Sequence, residues 1–72
     1  TPEEAVRACY QHAALKYVGG QKMTNATLRE RLGIDDQNAA QASRVIRATL
    51  DVDLIRPADA ERPRAGYVPS WA

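Results

Sequence analysis

Met23-Thr24-Asn25-Ala26-Thr27-Leu28-Arg29-Glu30-Arg31-Leu32-Gly33-Ile34 is the stretch on which the fold turns. Thr24 or Asn25 is a strong helix N-cap, because either side chain can accept from the unpaired amides of a first helical turn. Leu28 and Leu32 repeat at four residues and share a face, while Arg29, Glu30 and Arg31 point outward. Gly33 permits the left-handed residue that stops a helix. Met23 precedes the cap, where a single extended residue can join a small sheet.

Working outward, Asp35 or Asp36 is expected to cap a third helix running to about Val52. Its apolar stripe is predicted along Ala39, Ala42, Ser43, Ile46 and Leu50. Gln37, Gln41, Arg44 and Ala48 lie opposite, with Ala40 and Arg47 beside them. Upstream, Thr1-Pro2-Glu3-Glu4 has an N-cap, a proline in the first turn and acids where the helix dipole favours them. That first helix should end near Val18, before Gly19-Gly20. It is apolar on two sides: Val6, Cys9, Tyr10, Ala13 and Tyr17 on one, Ala8, Leu15 and Val18 on the other. Only one side can meet the domain's own core, so the second is expected to cover an upstream domain or drive weak dimerisation. Downstream, Leu54-Ile55-Arg56 and Tyr67-Val68 read as short strands that Pro57 and Pro69 confine to edges. The charged, proline-containing segment between them makes a long hairpin tip.

Three helices, the second and third joined by a tight turn, followed by a β hairpin, form the winged helix-turn-helix arrangement. The predicted fold is therefore mainly α with a small β hairpin, in one unit spanning residues 1–72. Its core is expected to gather Val6 or Leu15 with Leu28, Leu32, Ile34, Ile46, Leu50, Leu54 and Val68.

The composition excludes several classes. With 44% apolar and 26% charged residues among 72, the chain has the makeup of a globular domain, not a disordered one. Its apolar runs are far shorter than the roughly 20 residues of a membrane span. The lone Cys9 cannot form an intrachain disulfide, which fits a reducing cytoplasm. The only methionine is Met23, so Thr1 is not an initiator, and the chain is expected to be the C-terminal piece of a longer protein.

No catalytic, metal or cofactor site is expected. His12 has no second ligand at metal spacing, and Cys9 lacks the basic surroundings of a reactive thiol. Asp35 and Asp36 are accounted for as helix caps. Tyr67 and Trp71 are expected to close the core. Gly19-Gly20-Gln21-Lys22 lacks the spacing of a phosphate-binding loop.

The net charge of +1 is low for a nucleic-acid binder, but its distribution matters more. In residues 35–53 the four aspartates fall at the ends and Arg44 and Arg47 in the middle, so a basic face survives. If the domain binds duplex DNA, Gln37, Asn38 and Gln41 can pair with adenine edges in the major groove, and Arg44 with guanine or phosphate. Arg47 lies beside them. Thr24 and Asn25 open the preceding helix, whose amides favour a phosphate. Arg56, Arg62 and Arg64 are expected to touch the flanking backbone or minor groove. A protein-interaction or dimerisation domain that keeps this fold without DNA contact is the competing class.

The segments ACYQHAALKYV, KMTNATLRERLGI, NAAQASRVIR and the ending YVPSWA resemble the C-terminal domain of a bacterial family described as ATP-dependent DNA helicase RecG-related proteins, or as transcriptional regulators with a schlafen-type divergent AAA domain. The resemblance implies a winged helix closing a chain whose ATP-binding module lies upstream, so any ATPase or helicase activity would belong there. Winged-helix proteins commonly place glycine where Asp53 stands, at a left-handed position.

Overall fold

The computed structural model describes all 72 residues. The chain forms α1 (Pro2–Val18), α2 (Asn25–Leu32), a single 3-10 turn (Asp36–Asn38), α3 (Ala39–Asp51), β1 (Ile55–Pro57) and β2 (Tyr67–Pro69). The strands pair antiparallel, Ile55 with Pro69, Arg56 with Val68 and Pro57 with Tyr67. Met23 adds one bridge to Tyr67 on the outer edge, through reciprocal backbone bonds of 3.0 and 2.8 Å. This is the winged helix-turn-helix architecture, with the hairpin as its wing.

Local chemistry explains the boundaries. Thr1 caps α1, accepting from the Glu4 amide at 3.3 Å. Thr24 caps α2: its Oγ1 accepts from the Thr27 amide at 3.1 Å, and its own amide donates to Thr27 Oγ1 at 3.0 Å. Gly33 ends α2 in the left-handed region, at φ 69°. Asp53 also has a positive φ, 60°, and no other non-glycine residue does. A short polar side chain bears that conformation at modest cost. Gly66 is required for a different reason. A Cβ there would lie 2.8 Å from the Lys22 Cβ, too close for the Met23 bridge to form beside it.

The core contains Cys9, Ala13, Met23, Leu28, Ala42, Ile46 and Ile55, bordered by Tyr10, Leu32, Ile34, Val45, Leu50 and Tyr67. Leu28 and Ile46 are where the periodicity places them, but several expectations need correction. α1 reaches the core through neither Val6 nor Leu15. Its contact face is Cys9, His12 and Ala13, whose small or flat side chains let the helix approach closely, and Leu15 is 63% exposed. The buried stripe of α3 is Ala42, Ile46 and Thr49, whereas Ser43 is exposed. Thr49 can be buried because its hydroxyl donates to the Val45 carbonyl at 2.7 Å. The inward residue of β1 is Ile55, and Leu54, expected in the core, lies just before the strand and is only half-buried. Finally, neither aspartate supplies a side-chain cap to α3.

The tail covers part of α1. Trp71 meets the Tyr17 ring edge-on at 5.6 Å, and its Nε1 donates to the Tyr10 hydroxyl at 2.7 Å. It lies over the helix, 58% exposed, and does not enter the core. Val18, at 78% exposure, and Leu15 stay uncovered.

Candidate nucleic-acid interface

The outer surface of α3 and the wing bear the residues singled out for DNA contact, and the α2–α3 joint sets their positions. Asn25 is central to that joint. Its Nδ2 donates to the Ala39 carbonyl and to Ser43 Oγ, both at 3.0 Å, while its Oδ1 accepts from Arg29 Nε at 2.7 Å. Arg29 continues the chain of bonds, donating through Nη1 to Asp36 Oδ1 at 2.6 Å. Asp36 is thereby drawn toward α2, which is why it does not cap α3. The backbone closes the intervening turn instead, the Asn38 amide donating to the Asp35 carbonyl at 2.9 Å.

This network changes the roles read from sequence. The Asn25 amide is fully engaged and orients α3, so it is a positioning residue. Thr24 caps its helix with its hydroxyl, leaving the first-turn amides of Asn25 and Ala26 without intrahelical partners. Arg29 is held between Asn25 and Asp36, its side chain only 19% exposed. Gln37 and Asn38 are exposed but lie on the 3-10 turn, one step before α3. Gln41, Arg44 and Arg47 are exposed on α3 itself.

Arg47 and Arg64 converge. Together with Asn25, Ser43, Ile46, Leu50, Pro57, Pro63 and Tyr67 they line a cleft of about 430 Å³ between α3 and the wing. No carboxylate lines it. Two cations separated by 17 positions in the chain therefore face one opening with no internal anion to neutralise them. Arg62 stays near the wing tip, largely exposed, with Nε 3.9 Å from Asp59 Oδ2. At that distance and exposure the attraction is weak and screened.

Arg56 does not join this surface. Strand alternation turns Pro57 and Tyr67 toward α3, and Arg56 with Val68 toward the opposite side, beside Tyr17 and Lys22. There its Nη2 donates to the Ala72 carbonyl at 2.6 Å and ties down the tail. Of the hairpin arginines expected at flanking DNA, Arg56 and Arg64 thus lie on different faces of the wing.

The remaining reactive groups lie inside the fold. Cys9 is fully buried, with Sγ 3.8 Å from Met23 Sδ, and burial pushes its thiol above the ordinary range despite a contact with Thr49. His12 is buried, its Nε2 3.0 Å from Thr27 Oγ1. Burial, with Lys16 and Arg31 nearby, holds its imidazole below the usual 6.5. No three His, Cys, Asp or Glu side chains come together in a metal-binding group, and no helix is long and apolar enough to cross a membrane. No protein-family model, curated protein or solved structure matches the chain.

Proposed function

We propose that this chain is a DNA-binding winged-helix module that brings a larger protein to duplex DNA. The observation that carries the reading is the carboxylate-free cleft onto which Arg47 of α3 and Arg64 of the wing both open. A duplex phosphate supplies the missing anion, and each such contact releases counterions. With one strand's backbone at that cleft, the N-terminal half of α3 enters the major groove. Gln41 and Arg44 then read base edges, Gln37 and Asn38 contact bases from the turn before α3, and Arg62 meets the flanking backbone. The α2 amides of Asn25 and Ala26 lie at a helix N-terminus, where a phosphate is favoured. Asp35 and the far-end Asp51 oppose approach, so affinity from one domain is modest.

The parent in this reading is an ATP-binding, helicase-related or transcription-regulating bacterial protein of the reducing cytoplasm, with its ATPase upstream. The family resemblance of the helix-turn-helix strings and of YVPSWA supports that part.

A salt titration of binding to duplex DNA tests the module. Arg47→Ala, Arg62→Ala and Arg64→Ala should each weaken binding to all sequences and lower the salt slope by about one unit. Gln41→Ala should relax preference at one base position and leave the slope unchanged. Arg56→Ala should change neither. Absence of affinity at low salt, or shift perturbations confined to α1 during titration, would overturn the proposal in favour of a protein-interaction domain.

A further inference from the structure

An open groove runs between the N-terminal half of α1 and the end of α3, where Ala48 and Val52 line it. It has a volume of about 650 Å³, and Val6, Tyr10, Val52 and Leu54 form much of its lining. Val52 is 57% exposed, although it is aliphatic and follows directly on a well-formed helix. The tail reaches the edge of this region, where Trp71 binds the Tyr10 hydroxyl, and leaves the groove itself open.

Two charged residues on α1, Glu3 and Arg7, also line the groove, and neither makes an ion pair within the chain. They lie one helical turn apart, about 6 Å along the axis. An acid and a base arranged in this way on one helix are self-complementary under a two-fold rotation. If a second α1 lies antiparallel, with the axis passing near Ala5, Arg7 faces the partner's Glu3 and Glu3 faces the partner's Arg7. The same rotation sets Val6 within about 3 Å, along the axis, of the partner's Val6 and lays each α1 along the other's groove. Such an isologous pairing is the usual way a surface patch binds its own copy.

We propose that the occupant of this groove is a second copy of this chain, joined through α1 in a two-fold dimer. The charge pattern selects this occupant, because it matches its own image and has no partner inside the chain. A patch this small gives a weak dimer, formed between micromolar and millimolar concentrations. None of Gln41, Arg44, Arg47 and Arg64 lines the groove, so the pairing does not rest on the DNA reading.

Sedimentation equilibrium of the 72-residue chain, without DNA, tests the pairing. The wild-type chain should pass from monomer to dimer over that range. Glu3→Arg and Arg7→Glu each put like charges opposite one another at both contacts, and each should raise the dissociation constant about tenfold. An equimolar mixture of the two variants should recover association, because every contact then joins an arginine to a glutamate. Val52→Glu changes an exposed residue and should also weaken the dimer, which keeps the test decisive if the helix-end variant Glu3→Arg proves unfolded. A wild-type chain that stays monomeric at millimolar concentration overturns the proposal. So do single charge variants that associate as the wild type does. A monomer that binds duplex would overturn only the dimer, and a dimer without affinity for duplex only the DNA reading.

Discussion

The two joints that hold this domain together are made of different materials. α1 meets the rest of the chain through sulfur, small aliphatic and aromatic groups: Cys9 against Met23, Ala13 in the core, and Trp71 across Tyr10 and Tyr17. α2 meets α3 through Leu28 and Ile46 inside, but its outer rim is a chain of polar bonds from Ser43 through Asn25 and Arg29 to Asp36. Apolar contact is non-directional and scales with area, so the first joint supplies stability. Hydrogen bonds add less net energy but demand geometry. The second joint therefore determines the angle at which α3 presents Gln41, Arg44 and Arg47. The contrast assigns stability to one end of the molecule and orientation to the other.

The sharpest way to break that contrast is at Met23, which is fully buried between α1 and the sheet. Met23→Ala should cost about 2–5 kcal/mol in urea denaturation, a large share of the stability of a small domain. Because its strand bridge is made by backbone atoms, the fraction that remains folded should bind DNA as before. Asn25→Ala should do the reverse. It removes three hydrogen bonds at a half-buried site and should cost about 1–3 kcal/mol by the same measurement. In folded protein it should also weaken DNA binding by about 1 kcal/mol, or roughly fivefold, because α3 loses its brace. If Asn25→Ala left affinity untouched, the polar joint would be one more source of stability and the contrast would dissolve.

The smallest effect concerns pH. His12 lies between the two joints, reaching from α1 to Thr27 of the α2 cap. Its folded-state pKa lies below the ordinary 6.5, because burial penalises the cation. Below about pH 6.5 the unfolded chain therefore binds the proton more readily than the folded one. The stability His12 contributes should be fully present above that pH and decline as pH falls toward the folded pKa. Melting temperature followed through this window should fall in the wild type and more shallowly in His12→Gln. An equal decline in both proteins would assign the pH dependence to other groups.

Much of this was legible from residue order. The Thr1 and Thr24 caps and the Gly33 stop depend on a few neighbouring residues. An extended Met23 was readable locally, but its partner Tyr67 was not, and the left-handed position at Asp53 followed from the family resemblance. The shared face of Leu28 and Leu32 follows from helical period alone. Asp36 was harder. As a sequence feature it is a good cap, and only the proximity of Arg29, seven positions earlier, directs its carboxylate elsewhere. The stripe of α3 was shifted for a similar reason, since Thr49 can be buried once its hydroxyl bonds within its own helix.

The sequence by itself therefore determined the elements, their order and the winged helix-turn-helix class, because caps, turns and periodicity act over a handful of residues. The tertiary structure alone decided which cations share a surface. Arg47 and Arg64 meet across a cleft while Arg56 turns to the opposite face of the same hairpin. It also decided that α1 packs through Cys9 and Ala13 and leaves Val6 at an open groove. Both outcomes depend on how elements distant in the chain approach one another, and that approach is governed by side-chain volume and bond geometry summed over the whole core.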